Sequence, residues 1–229
     1  FGHYLFMPCT GDILFEPGDY KKTQEGYRSR FSHVGEKAAP GYYSVFLEDY
    51  NIKAELTATE RVGMHRYWFP KNQSGHVIVD LEHGLGEYAN PMLTGIKKEN
   101  EKSISGFRLT KNGVKSYFYA EFSRTFSQIF FEKSDVIKDI PDSLSGNNIK
   151  VAILFDNAGE DPVIIKVAVS FTSLENAKNN MKEEIPDWDF DKVVERTKNK
   201  WNHTLSKIKI HSSDYDAKVQ FYTALYHCS

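Results

Sequence analysis

The sequence predicts a mainly β protein: an antiparallel β-sandwich, then a helical linker, then the first helix of a further helical domain. Three observations lead there. Apolar and polar residues alternate over short runs from about residue 42 to residue 171. Clusters of turn-forming residues separate those runs, with no helical pattern between them. At Ser173 the spacing of apolar residues changes from two to that of a helix.

The runs follow in order. Tyr43, Val45 and Leu47 form one. Ile52, Ala54, Leu56 and Ala58 alternate with Lys53, Glu55, Thr57 and Thr59 in the next, and Met64, Arg66 and Trp68 mark a third. Val77, Val79 and Leu81 oppose His76, Ile78 and Asp80; Phe118, Ala120 and Phe122 oppose Tyr117, Tyr119 and Glu121. A strand is expected from Ser127 to Val136, another through Val151, Ile153 and Phe155, and a long one from Val163 to Phe171. Turns are expected at Pro40-Gly41, Asp49-Tyr50-Asn51, Lys71 to Gly75, Lys111-Asn112-Gly113, Ser145 to Asn148 and Asn157-Ala158-Gly159. Short strands, each with one polar face and joined by tight turns, are antiparallel, and about eight of them must bury their inner faces against a second sheet.

Beyond residue 172 the pattern is helical. Leu174, Ala177, Met181 and Ile185 share a face behind Ser173 as N-cap, and Pro186 stops that helix. Phe190, Val193, Val194, Thr197, Trp201 and Leu205 form the stripe of a second helix, with Asp187, Asp189 and Asp191 at its positive end. Tyr215 to His227 begin a third, with Ala217, Phe221 and Leu225 on one face. The expected organisation is a sandwich over 1–172, a linker over 173–212, and the start of a helical domain over 213–229. The chain opens at Phe1 and stops just after a helical pattern has begun, which predicts a piece of a longer protein. The face meant for the missing part should then be an exposed patch around Phe221, Tyr222 and Leu225.

Composition excludes several classes. Of 229 residues, 40% are apolar and 26% charged, too apolar for a disordered chain. The longest apolar runs, such as Val167-Ala168-Val169, fall far short of the roughly 18 residues of a membrane helix. A formal charge of −2 gives no electrostatic attraction to nucleic acid or membrane. Cys9 and Cys228 are too few for a disulfide framework and lack metal-ligand spacing.

Several blocks together resemble glycoside hydrolase family 92, the calcium-dependent exo-acting α-mannosidases. They are Ser29 to His33 with Glu36, Pro40 to Val45, Glu55 to Tyr67, Ile104 to Arg108, Tyr117 to Phe122, Glu184 to Asp191 and Phe221 to His227. They keep the family's order over nearly the whole chain. The resemblance implies an N-terminal sandwich, a linker and an (α/α)6 barrel, with the site in the cleft between the two domains. It implies hydrolysis of α-mannosides, of the α-1,2 type and in glycans such as N-glycans, with inversion. Inversion uses one carboxylic acid and one carboxylate roughly 6.5–9.5 Å apart. By the same resemblance the acid, the base and the calcium ligands belong to the barrel, so no catalytic or metal residue is assigned here. A Gly- and His-rich stretch that helps contact the sugar would precede Phe1. The partners implied are a mannose-containing glycan and the chain's own barrel, and the localisation secreted, periplasmic or cell surface.

Four residues are candidates for the cleft or the domain interface. His33 and Glu36 lie in a loop bounded by Pro and Gly, where rigid sheets often carry function. Arg61 and His65 flank Gly63, which marks a bulge or a close backbone approach; the competing reading is an ordinary ion pair. Glu36, Glu55, Glu60 and Glu121 contain no spacing that sets a glycosidase pair. Tyr42, Tyr43, Tyr67, Trp68, Tyr117 and Tyr119 suit sugar stacking but at strand spacing read first as core or sheet face. Asp156 to Asp161 is rich in oxygen ligands yet lacks EF-hand spacing and reads as a hairpin turn. Trp188 and Trp201 read as linker packing. The alternatives to the mannosidase scaffold are a stand-alone carbohydrate-binding or structural sandwich and a sandwich hydrolase with its own carboxylates.

Overall fold

The computed structural model describes residues 4–19, 21–22, 25–84, 91–132 and 143–229. Thirteen strands are described: β1 (Leu5–Thr10), β2 (Lys37–Ala39), β3 (Tyr42–Leu47), β4 (Ile52–Ala58), β5 (Val62–Trp68), β6 (Gly75–Asp80), β7 (Pro91–Asn100), β8 (Ser103–Thr110), β9 (Lys115–Phe122), β10 (Gln128–Phe131), β11 (Ser143–Gly146), β12 (Lys150–Phe155) and β13 (Val163–Ser170). They pair antiparallel into two sheets. One is four-stranded in the order β1-β6-β12-β10; the other is nine-stranded in the order β11-β7-β8-β9-β13-β5-β4-β3-β2. Period-2 patterning explains the main core. Val77, Val79, Val151, Ile153 and Phe155 from the small sheet meet Ile52, Ala54, Phe118, Phe122, Val163 and Ile165 from the large one.

The turn chemistry works as expected at most corners. Asn51, Asn72 and Asn157 adopt positive φ, as do Gly41 and Gly113, the left-handed region that Asn and Gly tolerate. Ser145 and Gly146 differ: they end β11, paired with β7, rather than forming a turn. The strand expected over Ser127 to Val136 runs from Gln128 to Phe131, and residues 133–136 lie outside the described residues.

The expectation of one polar face per strand fails in the middle of the small sheet. Every residue of β6 is buried. Its second face, with Ile78, packs with Cys9, Ala152 and Tyr27, and the segment carrying Ile13, Phe15 and Tyr27 covers it. Two of the buried polar groups there are paired, whereas His76 Nε2 is not: the Tyr27 hydroxyl donates to Asp80 at 2.8 Å, and Lys150 lies 2.9 Å from Glu16 and 3.2 Å from Glu82.

The second face of the large sheet carries the helices α1 (Leu174–Glu184) and α2 (Phe190–Leu205). Val62, Met64 and Ala168 of the sheet pack against Met181, Ile185, Phe190 and Val193. Ser173 caps α1, its hydroxyl accepting from Asn176 N at 3.0 Å, and Asp189 caps α2 through Lys192 N at 3.0 Å. Helix α3 (Tyr215–His227) is capped by Asp214, and none of its residues is buried. It touches α2 through the Trp201 and Tyr226 rings, 4.6 Å apart.

Candidate functional site

Two ionic clamps hold the helices onto the large sheet. The first is centred on Glu184, the last residue of α1. Its carboxylate accepts from Thr59 Oγ1 at 2.5 Å, Arg61 N at 3.0 Å and Arg61 Nε at 2.5 Å. A helix end that presents a carboxylate to the β4–β5 turn thus satisfies a backbone N–H and a guanidinium together. Burial pushes this carboxyl up, but the Thr59 and Arg61 donors outweigh it and hold the group below the usual range.

The second clamp is centred on Arg66. Its Nε donates to Glu55 Oε2 at 2.8 Å, and its two terminal nitrogens donate to Asp191 at 2.9 and 3.1 Å. Period 2 puts Arg66 of β5 and Glu55 of β4 on the helix-facing side of directly paired strands. Asp191 in the first turn of α2 completes a fork that only a planar guanidinium can make. The guanidinium also lies 4.2 Å above the Phe190 ring. Glu55 accepts further from Tyr42 Oη at 2.7 Å and Trp68 Nε1 at 2.6 Å. Burial pushes its carboxyl up, yet Arg66, Tyr42, Trp68 and Lys53 overcome that and bring it down to about 2. A cavity of about 500 Å³ lies next to the first clamp, lined by Thr59, Glu184, Arg196, Lys200 and Trp201. Gly41 sits under α2 so closely that a Cβ there would come within 2.6 Å of Thr197 Cγ2.

The four candidate residues occupy three places. His33 and Glu36 form a pair at 2.5 Å on the loop before β2; His33 is exposed, and Glu36 also accepts from Tyr43 Oη at 2.6 Å. The Tyr43 and His33 hydrogen bonds lower the Glu36 pKa. Arg61 belongs to the first clamp. His65 faces the sandwich interior beside Phe6, ring centroids 5.7 Å apart, and burial takes its imidazole down to about 4. Its Nδ1 lies 2.6 Å from Tyr67 Oη, which also lies 3.2 Å from Phe6 O.

The two clamps position α1 and α2 against the sheet. Five carboxyls, Glu36, Glu55, Glu99, Glu184 and Asp187, are displaced downward. A general acid needs the opposite displacement. Among the described residues no three His, Cys, Asp or Glu side chains converge as metal ligands. No helix among them is long and apolar enough to cross a membrane. Arg66, which flanks Gly63 with Glu60, Arg61 and His65, forms the ion pair of the competing reading. Glu184 and Asp191 are not among the candidates, because the carboxylates flanking Pro186 give no sign in the sequence of the strands they reach.

The comparisons agree with this architecture. The description "Glycosyl hydrolase family 92 N-terminal domain" matches residues 1–170, and "Glycosyl hydrolase family 92 catalytic domain" matches residues 176–229. A family GH92 α-mannosidase from Bacteroides thetaiotaomicron is 33% identical, with a TM-score of 0.89 over 98% of this chain and 31% of its own. A family GH92 inverting mannosidase from the same organism, at 24% identity and TM-score 0.83, shares the fold. An uncharacterized secreted glycosidase of Arthroderma benhamiae is 27% identical over 83% of this chain and 28% of its own length. The chain thus spans about a third or less of these relatives. The N-terminal-domain match takes in every strand described, and the catalytic-domain match starts in α1: the chain belongs to glycosyl hydrolase family 92.

Proposed function

We propose that this chain is the scaffold part of an exo-acting, inverting α-mannosidase that removes α-1,2-linked mannose from glycans such as N-glycans. The observation that carries the reading is the double clamp, Glu184 to the β4–β5 turn and Arg66 to Asp191, which locks α1 and α2 onto the sheet. The two helices lead into α3, whose residues are all at least partly exposed. In this reading residues 1–172 are the sandwich, 173–212 the linker, and 213–229 the opening of the (α/α)6 barrel. The boundary is supported by the end of β13 at Ser170 and the Ser173 cap. Acid, base and calcium ligands would come from the barrel. The lowered carboxyls described above support that placement, since none is suited to protonate a leaving group.

His33 and Glu36 are the residues we propose for the cleft side, because the loop carrying them is exposed and braced by Tyr43. Arg61 and His65 are positioning residues, the first through Glu184 and the second through Tyr67. The secreted relative supports export of the parent. The experiment is to follow hydrolysis of an α-1,2-mannobioside by the full-length protein with proton NMR. Inversion predicts β-mannose as the first product; α-mannose first, or no release of mannose, contradicts the reading.

A further inference from the structure

A groove beside Trp188 meets the requirements of a sugar ring, and we propose that it binds a neutral pyranoside. Trp188 lies on the short connector between the end of α1 and the Asp189 cap of α2, so a helix terminus on each side holds its backbone. It is 37% exposed. The Lys166 ammonium covers one face of the indole at 4.2 Å from the ring centre. Lys166 is itself buried, 3.0 Å from Glu121 Oε2 and 3.4 Å from Ile185 O, so the charge over that face is held by partners of its own. The exposed part of the indole borders a cavity of about 520 Å³, lined also by Tyr119, Glu121, Asn100, Lys102 and Thr125. That volume is within the range of small-molecule sites.

The lining decides the class of ligand. Glu101 and Glu121 stand with Lys102 and the buried Lys166, so neither an anion nor a cation meets a field of one sign. An apolar ligand would strip water from the carboxylates, the amide and the hydroxyl without replacing its hydrogen bonds. A pyranose replaces them, because its hydroxyls both donate and accept around the rim while its C–H face lies flat on an aromatic ring. Glu121 is pre-set for this role: Lys166 holds Oε2, the Tyr119 hydroxyl donates to Oε1 at 3.2 Å, and the side chain is still one-third exposed. The groove is at the Phe190 end of α2, while α3 touches Trp201, eleven residues further along. At 1.5 Å per residue that places roughly 16 Å between them.

The reading does not depend on hydrolysis, so it stands or falls apart from the mannosidase assignment. The test is a titration of the 15N-labelled 229-residue chain with methyl α-mannopyranoside, watched at the three tryptophan indole N–H signals of Trp68, Trp188 and Trp201. The Trp188 signal is expected to move saturably together with the amides of residues 100–103, with a millimolar Kd. Trp188→Ala is expected to weaken binding at least about tenfold and Trp188→Phe to retain most of it. No saturable movement of the Trp188 signal overturns the proposal, as does equal movement at Trp68 and Trp201, or an equal response to sodium phosphate. The mapping on the unsubstituted chain decides the matter even if Trp188→Ala does not fold.

Discussion

Replacing Glu55 by Gln removes one charge from the second clamp while keeping the size of the side chain. The Glu55 carboxylate is buried and receives Arg66 Nε at 2.8 Å, Tyr42 Oη at 2.7 Å and Trp68 Nε1 at 2.6 Å, with Lys53 Nζ at 3.1 Å. Burial alone would raise its pKa; these donors reverse that and take it from 4.5 to about 2. A pKa depressed in the folded state contributes stability above pH 4.5 that is lost as the pH falls from 4.5 towards 2. At about 1.4 kcal/mol per factor of ten, the full contribution is about 3 kcal/mol at pH 7 and about 1.4 kcal/mol at pH 3. Glu55→Gln is therefore expected to unfold in urea about 3 kcal/mol more easily than the unsubstituted chain at pH 7. The gap should narrow by more than half at pH 3. The cost agrees with the 3–5 kcal/mol range for stripping one partner from a buried ion pair. A loss under about 1 kcal/mol at pH 7, the value of an exposed pair, would refute the reasoning. So would a gap that stays constant with pH.

Other perturbations test neighbouring parts of the account. Ser173→Ala removes the α1 cap and is expected to cost about 1 kcal/mol, read as faster amide exchange in the first turn of α1; unchanged exchange there contradicts it. His76 is buried in β6 with its Nε2 unpaired, and burial lowers its pKa from 6.5 to about 4. The folded chain prefers the neutral ring, so stability is lost as the pH falls from 6.5 to 4. His76→Leu should flatten urea stability across that window by up to about 3 kcal/mol, and an unaltered slope counts against it. Gly41 has φ +81 and no room for a Cβ against Thr197. Gly41→Ala should cost about 1–3 kcal/mol in a thermal melt by straining the turn and displacing α2, and an unchanged Tm argues against that contact.

The parts of the fold legible in the sequence were those ruled by local periodicity. Ile52 and Ala54, and Val163, Ile165 and Val167, recur at period two because that face meets the core, and Ser173 with Pro186 brackets α1 through backbone chemistry alone. Strand β8 was not legible as a strand, because Ser103, Ser105, Arg108 and Thr110 place buried polar residues in its pattern. Strand β7 carries Lys97, Lys98 and Glu99 in its second half, which mask its pattern, and β6 reads as half polar until the segment around Tyr27 covers it. The same limit applies to the site. Arg61 was legible as a candidate near Gly63, but its partner Glu184 is 123 residues away. Arg66 likewise meets Asp191 across 125 residues. Chain order gives no hint of either distance, whereas the pairing of β4 with β5 and the seating of α1 and α2 fix both.

The proposed function implies that this chain positions and another part of the protein cleaves. The most direct measurement is release of mannose from an aryl α-mannoside by the 229-residue chain, with calcium added, beside the full-length protein at equal concentration. The account predicts turnover by the full-length protein and none above background by the chain. Calcium-stimulated turnover by the chain, abolished by replacing Glu36 or Glu121 with the corresponding amide, would contradict it.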